Sequence, residues 1–240
     1  MARSKFLSEL LSFLYVPRCL GCRELLSHSD GILCKMCRTR YDMLCHRKCR
    51  ECGNDLCECG CTKEGIAAHG VWRLSKLCAY VPKEKNNPFK AMLYSLKSKN
   101  NLDVREFFCT ELVRQIKRKC PDYGEYVICY VPRSTASYKK YGYDHMQLLS
   151  QRVAEELGIG CERLFCRKNL SKVQKELDRR ARFENAQKSI LLCDGVSAEG
   201  KRYILLDDIC VTGASLGRCA TLLICDGARE VRCFVIGVRP

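Results

Sequence analysis

Two kinds of chemistry are written into the residue types and spacings of this chain. Cys19-Leu-Gly-Cys22 and Cys34-Lys-Met-Cys37 are CxxC pairs with eleven residues between them. Each pair sets two thiolates on one tight turn, and two such turns complete a tetrahedral four-sulfur site, the closed geometry of structural zinc. Cys49-Arg-Glu-Cys52 opens a second set, to be completed by two of Cys57, Cys59 and Cys61, with Cys45 as a possible substitute. No coordination position is left open for a substrate, so the expected Zn2+, one ion or two, is structural. A redox CxxC or a disulfide framework is the alternative reading. The second chemistry lies in Tyr203-Ile-Leu-Leu-Asp207-Asp208-Ile-Cys-Val211-Thr212-Gly213-Ala214-Ser215-Leu216. An apolar strand ends in two adjacent carboxylates, and a Thr/Gly/Ser turn leads into a helix. Backbone N–H groups at that helix start, with the Thr212 and Ser215 hydroxyls, suit a phosphate monoester. The two carboxylates suit vicinal sugar hydroxyls, directly or through Mg2+.

These residues need elements to position them. Strands and helices alternate after the Cys-rich stretch, which favours an α/β sheet flanked by helices. Asn87-Pro88 opens a helix bearing Phe89, Met92, Leu93 and Leu96, and Asp103 with Glu106 opens another through Phe108, Leu112 and Ile116. Residues 126–131 read as a buried strand ending at Pro132-Arg133. Asp144 with Gln147 caps a helix that Gly158 stops. The apolar strand before Asp207 and a helix from about Ser215 to Asp226, closed by Gly227, place the phosphate turn at the carboxyl end of a strand, where ligands of open α/β sheets bind.

The 240 residues are 47% hydrophobic and 29% charged, which rules out collagen-like, low-complexity and wholly disordered chains. Of 21 cysteines, ten lie between Cys19 and Cys61; the other eleven are scattered singly and expected to serve mostly as small apolar residues. That unevenness predicts two domains: 1–62, a double zinc ribbon with a short N-terminal helix, and 63–240. His28, His46 and His69 are not taken as ligands. The apolar run of residues 10–16 is too short to span a bilayer and lacks a cleavage site, so a cytoplasmic protein with no membrane insertion is expected. Residues 1–62 hold ten Lys/Arg against seven Asp/Glu, and each four-thiolate zinc centre adds about −2. The formal charge of +15 therefore belongs chiefly to residues 63–240, the expected seat of anion binding.

The Asp207–Ser215 string resembles the PRPP-binding motif of type I phosphoribosyltransferases. Several further features follow one another in the order of the ComF family, competence-associated proteins with a double zinc ribbon and a phosphoribosyltransferase-like domain. They are the CxxC ribbons, Leu96-Lys97, Val131-Pro132-Arg133, Tyr141-Gly-Tyr143-Asp144, Gln174 to Leu177, Arg182-Phe-Glu-Asn185 and the Asp-Asp loop. The family's Arg-Gly-Phe-Asn-Gln appears here as Tyr141-Gly-Tyr-Asp-His145, and the Ala-Phe that often follows Arg-x-x-Asn is absent. The resemblance implies a type I phosphoribosyltransferase-like, mainly parallel open sheet behind a Cys-rich ribbon. It places Val211, Thr212, Gly213, Ala214 and Ser215 on the 5′-phosphate of PRPP, Asp207 and Asp208 on the ribose or Mg2+, and Arg133 at the pyrophosphate loop. Lys97 is a further PRPP candidate, and Gln174 and Arg182 are flexible-loop candidates within 163–188, a stretch with nine Lys/Arg against three Asp/Glu.

The function so implied is PRPP binding in DNA uptake and natural competence, with single-stranded DNA and uptake-machinery proteins as partners. Tyr138, Tyr141 and Tyr143 beside Lys139 and Lys140 are candidates for base stacking. Two alternatives stand beside it: a metabolic phosphoribosyltransferase acting on a base or amine, and a non-catalytic nucleic-acid binding module. An N-terminal catalytic cysteine is excluded, since Cys19 follows eighteen residues and sits in a metal pair.

Overall fold

The structure, a computed structural model, describes all residues except 1–16, 28–30, 63, 69, 72, 86 and 169–178, and only the backbone of 64, 65 and 179–183. The expected N-terminal helix, Gln174, His28 and His69 lie outside the described residues.

The Cys-rich segment is built from two similar turns. Cys19 N–H donates to Glu24 O and Arg23 N–H to Cys19 O; Cys49 N–H donates to Asn54 O and Gly53 N–H to Cys49 O. The residue after the second thiol takes a left-handed conformation in both, Arg23 at φ 70° and Gly53 at φ 71°. Helix α1 (Lys35–Cys45) begins directly after Cys34 and carries Cys37 in its first turn.

A short helix α2 (Glu64–Ala67) leads to β1 (Leu74–Ala79). Helix α3 (Pro88–Lys99) starts with Pro88 after Asn87, whose side chain accepts from Lys90 N–H. Helix α4 (Leu102–Lys119) is capped by Asn101, ahead of the Asp103 expected, because the Asn101 side chain accepts from Val104 N–H. Strand β2 (Tyr126–Tyr130), α5 (Thr135–Tyr141) and α6 (His145–Leu157) follow, α6 capped by Asp144 and stopped at Gly158 as its sequence predicts. Then come β3 (Phe165–Arg167), α7 (Arg179–Ser189), β4 (Ile190–Leu192), β5 (Arg202–Cys210), α8 (Ala214–Cys225) and β6 (Glu230–Val238).

Four strands form a wholly parallel sheet in the order β1-β6-β5-β2, and β3 pairs antiparallel with β4 in a separate ribbon. In the centre of β5 the run Tyr203–Leu206 is buried without a break. That is the mark of a strand covered on both faces. Helices α4 and α6 pack on each other and on the sheet, and α8 packs on β5 and β6 beside α2, α7 and β4. The open parallel sheet flanked by helices, preceded by a Cys-rich segment, is the expected architecture. No helix among the described residues is long and apolar enough to cross a membrane.

The ribbon is tied to the sheet layer by hydrogen bonds. Gln115 Nε2 donates to Cys57 O at 2.8 Å, Arg118 Nη2 donates to the same carbonyl at 2.9 Å, and the buried Lys76 Nζ donates to Cys61 O. Of the eleven scattered cysteines, Cys78, Cys109, Cys120, Cys129, Cys210, Cys219 and Cys233 are buried as expected of small apolar residues. Cys166 and Cys193 depart from that expectation: the β3–β4 pairing brings them together as a disulfide, Cα atoms 5.4 Å apart.

Candidate functional site

The first metal-capable group is Cys19, Cys22, Cys34 and Cys37, whose sulfurs lie within 4.8 Å of one another. Gly21 permits this approach, because a Cβ there would stand 2.6 Å from Cys37 Sγ. The second group is Cys49, Cys52, Cys59 and Cys61. Cys57 falls outside it, a correction to the candidate ligands, and Cys45 does not substitute. The turn that returns Cys59 N–H to Asp55 O aims Cys59 and Cys61 at the Cys49-Cys52 knuckle, while the Cys57 backbone is engaged with Cys45 O, Gln115 and Arg118. His46 is bonded to Asp55, Nδ1 to Oδ2 at 2.9 Å, and belongs to neither group. Within each group one thiol is acidified. Burial alone would raise Cys19 and Cys49, but backbone N–H donors, from Cys22 and Cys34 onto Cys19 and from Cys52 and Glu51 onto Cys49, bring both down to about 7. Cys61 is pushed up to about 12 by the Cys52 side chain and by burial. Four thiols crowded this closely cannot all ionise unaided, and a divalent cation is what would let them.

The second centre lies at the carboxyl ends of the parallel strands. Two adjoining cavities of about 220 and 260 Å3 open there. The first is walled by residues 210–216 and by Asn185, Ala186 and Ser189 of α7. The second is walled by Lys97, the 131–134 turn, His145 and Asp208. Asp207, Ile209, Ser215 and Arg167 line both.

Residues 211–215 form the expected turn. Gly213 is the N-cap of α8 at φ 84°, and Ala214 N–H reaches Thr212 Oγ1 at 3.4 Å. The first helical bond runs from Gly217 N–H to Gly213 O, so the amides of Ala214, Ser215 and Leu216 have no intrahelical acceptor. These three residues line the first cavity, and a helix start with its dipole behind it has the chemistry to take an anion.

Asp208 is the hub of the second cavity. Its Oδ2 lies 2.8 Å from Lys97 Nζ and 2.6 Å from His145 Nε2. Burial would raise its carboxyl, but the Lys97 ammonium and the His145 bond hold it well below the usual carboxylate range. Asp207 goes the other way, pushed up to about 8 by burial and by the Asp208 charge next to it. Adjacent carboxylates in one recess thus divide into one charged and one protonated at neutral pH.

Lys97 reaches the site from the last turn of α3, which a solvated helix-end lysine would not do. Arg133 lies in the 131–134 turn and lines the second cavity, and two of its guanidinium nitrogens donate to protein carbonyls. Nη1 donates to Tyr143 O at 3.1 Å and Nη2 to Lys97 O at 2.7 Å, while its backbone N–H donates to Asp144 Oδ2 at 2.7 Å. It also lies 4.5 Å from the centre of the Tyr141 ring. Arg133 therefore locks the turn to the ends of α3 and α6. Tyr143 is likewise structural, its hydroxyl accepting from Asn100 N–H at 2.7 Å and donating to Leu96 O at 3.2 Å. Tyr138 alone of the three stacking candidates is exposed. Arg182 lies in α7, its side chain outside the described atoms.

His145 and Arg167 are site residues that sequence reasoning did not single out. His145 stood in view as a departure from the family's Gln, and its place directly after the Asp144 cap was the signal. Arg167 was one of nine basic residues in a single stretch, with nothing in its spacing to mark it.

No family model matches the sequence. The chain is 25% identical over 223 residues to competence protein ComFC of Streptococcus pneumoniae, covering 88% of this chain and 89% of that protein. It thus resembles the ComF family along nearly its whole length. Among solved structures, adenine phosphoribosyltransferase from Leishmania tarentolae overlaps 58% of this chain and 73% of its own, at 15% identity and a TM-score of 0.37. Purine phosphoribosyltransferase from Pyrococcus horikoshii overlaps 56% and 76%, at 17% identity and a TM-score of 0.38.

Proposed function

We propose that this chain is a ComF-type protein that binds PRPP at the carboxyl ends of its parallel strands and serves the handling of single-stranded DNA during uptake in the cytoplasm. The observation that carries the reading is the shared wall: residues 211–215 line the first cavity, Asp208 and Lys97 the adjoining second, and Asp207 and Ser215 stand between them and line both. A ligand with a phosphate monoester, a ribose diol and a second anionic group is complementary to that order. The cradle takes the 5′-phosphate and the carboxyl pair takes the diol. Lys97 and the 133–134 turn face the pyrophosphate. Displacement at C1 of the ribose would form a bond to the incoming nucleophile and break the C1–O bond, the electron pair leaving with pyrophosphate. The protein's part is to hold both ends still and to stabilise the leaving charge. Asp207 and Asp208 have the donor chemistry to hold Mg2+, directly or through water, and that ion would neutralise pyrophosphate charge.

The two four-cysteine groups have the donor set of structural zinc, and we assign one Zn2+ to each, fastening the turns of a ribbon unit, residues 1–62, that precedes the transferase-like unit, 63–240. Support for the nucleic-acid role comes from a groove of about 700 Å3 between the first CxxC turn and α3. Arg23, Lys83, Lys85, Lys90 and Lys99 line it, and Tyr94 is 63% exposed at its wall. That pairing of cations with an open aromatic face suits a single strand without sequence preference.

Calorimetric titration with PRPP and Mg2+, repeated on the Asp207→Asn/Asp208→Asn double variant, tests the reading. Micromolar binding that the double variant loses supports it; equal binding by both, or none by either, refutes it. Salt-sensitive binding of single-stranded DNA with no PRPP heat would leave the second alternative, a non-catalytic nucleic-acid module.

A further inference from the structure

Strand β1 forms one edge of the parallel sheet, and the last stretch of the second four-cysteine group is fastened to it. Leu74 N–H donates to Gly60 O at 3.1 Å, and Gln115 Nε2 of α4 donates to Cys57 O at 2.8 Å and to Lys76 O at 3.2 Å. Lys76 stands between these ties. At 3% exposure it is the one lysine or arginine buried to this degree among the described residues.

A lysine is almost never fully buried unless it is paired, because its ammonium gives up its hydration. Among the described residues the Lys76 ammonium is within ion-pair distance of no carboxylate and meets one acceptor, the neutral Cys61 carbonyl. Cys61 is held on both sides: its carbonyl accepts from Lys76, and its N–H donates to Cys59 Sγ at 3.3 Å. The ammonium is therefore one residue removed from two of the four sulfurs.

The carboxylate of that turn does not supply the missing charge. Glu58 is already paired with Arg118 and with Lys119, the latter at 3.4 Å. Lys76, Arg118 and Lys119 thus face this side of the group against a single carboxylate, which leaves two positive charges over. A four-thiolate zinc centre carries about −2.

We infer that Lys76 is a positioning residue, the buried counter-charge of the second four-cysteine centre, so that zinc bound there stabilises the edge of the parallel sheet. The inference rests on the zinc reading and goes beyond it. It makes the second centre a clamp on β1, and emptying that centre leaves an ammonium buried without an opposite charge.

The test follows zinc release from the loaded full chain to a chromophoric chelator, and thermal melting of loaded and metal-stripped chains. Lys76→Met is expected to release one of its two ions about tenfold more readily than wild type, the loss typical of a partner behind a metal ligand, and Lys76→Arg to keep both. In a Cys59→Ser chain, which retains only the first group, Lys76→Met should change nothing. Melting supplies the readout that a merely structural lysine would not move. Lys76→Met should lower the melting temperature of the loaded chain and raise that of the stripped chain, where the ammonium has lost its opposite charge. Retention of both ions by Lys76→Met at wild-type strength, weakened zinc in the Cys59→Ser chain as well, or melting shifts of one sign in both states would overturn the inference. If Lys76→Met does not fold, retention of both ions by Lys76→Arg supports the counter-charge and loss of one overturns it. A wild-type chain that binds no zinc would sink the zinc reading itself, an outcome distinct from two ions held equally by wild type and Lys76→Met.

Discussion

Ile66 of the short helix α2 lies directly under Gly213 of the 211–215 turn: a methyl group built on Gly213 would stand 2.2 Å from Ile66 Cγ1. Ile66 is fully buried, and Gly213 sits at φ 84°. The segment that links the Cys-rich ribbon to the sheet is thus packed against the underside of the 211–215 turn. Gly213→Ala meets both a strained backbone and a clash and is expected to cost roughly 2 kcal/mol or more. Ile66→Ala opens a cavity and is expected to cost about 3 kcal/mol. Because the second change makes room for the first, the double variant should lose less than the two singles together, measured by urea unfolding. Strict additivity would mean that the two residues do not feel each other.

Asp207 carries a pH signature. Its carboxyl is pushed up to about 8 in the folded chain by burial and the Asp208 charge, against about 3.9 when unfolded. The folded state therefore binds the extra proton between these values, and stability falls as pH rises through that window, by up to about 1.4 kcal/mol per pH unit. Asp208 is held low, so its contribution is present above the unfolded value and is lost only as pH falls through the acid range below it. Asp207→Asn removes the alkaline loss. Urea midpoints without added Mg2+ should show the variant gaining on the wild type from pH 5 to pH 8, and parallel curves would contradict the assignment.

His145 is 5% exposed and bonded to Asp208 through Nε2, while its Nδ1 makes no hydrogen bond among the described residues and lies 4.0 Å from Asp144 Oδ1. It acts on the site by positioning Asp208. His145→Ala should cost roughly 2 kcal/mol in urea unfolding, since it takes from a buried carboxylate one of its two partners and leaves Lys97 alone to hold it. His145→Gln keeps an N–H for Asp208 and should restore most of that loss together with PRPP affinity. A glutamine variant no better than alanine would remove the positioning role.

The zinc assignment divides the thiols into ligands and bystanders. Elemental analysis of freshly purified chain should give two zinc ions. Cys59→Ser should leave one, with the first four-cysteine group intact, whereas Cys57→Ser should leave two. Zinc loss in Cys57→Ser would return Cys57 to the ligand set.

Local signals and long-range ones fared differently in the sequence. Pro88 after Asn87, Asp144 before His145 and Gly158 after Leu157 act within one helical turn, and each marks an element end where the sequence places it. The Asp207–Ser215 string was legible for the same reason, since strand, acidic pair and cradle are contiguous. Lys97, 111 positions from Asp208, was visible only as a family match, and its ion pair depends on α3 running toward the strand ends. Arg167 and Ser215 meet through the β3–β4 ribbon, a pairing that no periodicity announces. Choosing Cys59 and Cys61 over Cys57 required the backbone path of the 55–61 turn, because spacing alone admits all three.

The strand order has a consequence for how this molecule comes into being. β1 has β6 as its partner in the sheet, and β6 in turn separates it from β5. During synthesis the ribbon can close on itself early, but the strand it leads into has nowhere to go until Glu230–Val238 has emerged. Joining the two is a contact between distant parts of the chain, slow by its topology. A ribosome that stalled before Glu230 would hold the Cys-rich segment beside an unpaired strand, open to partners other than its own.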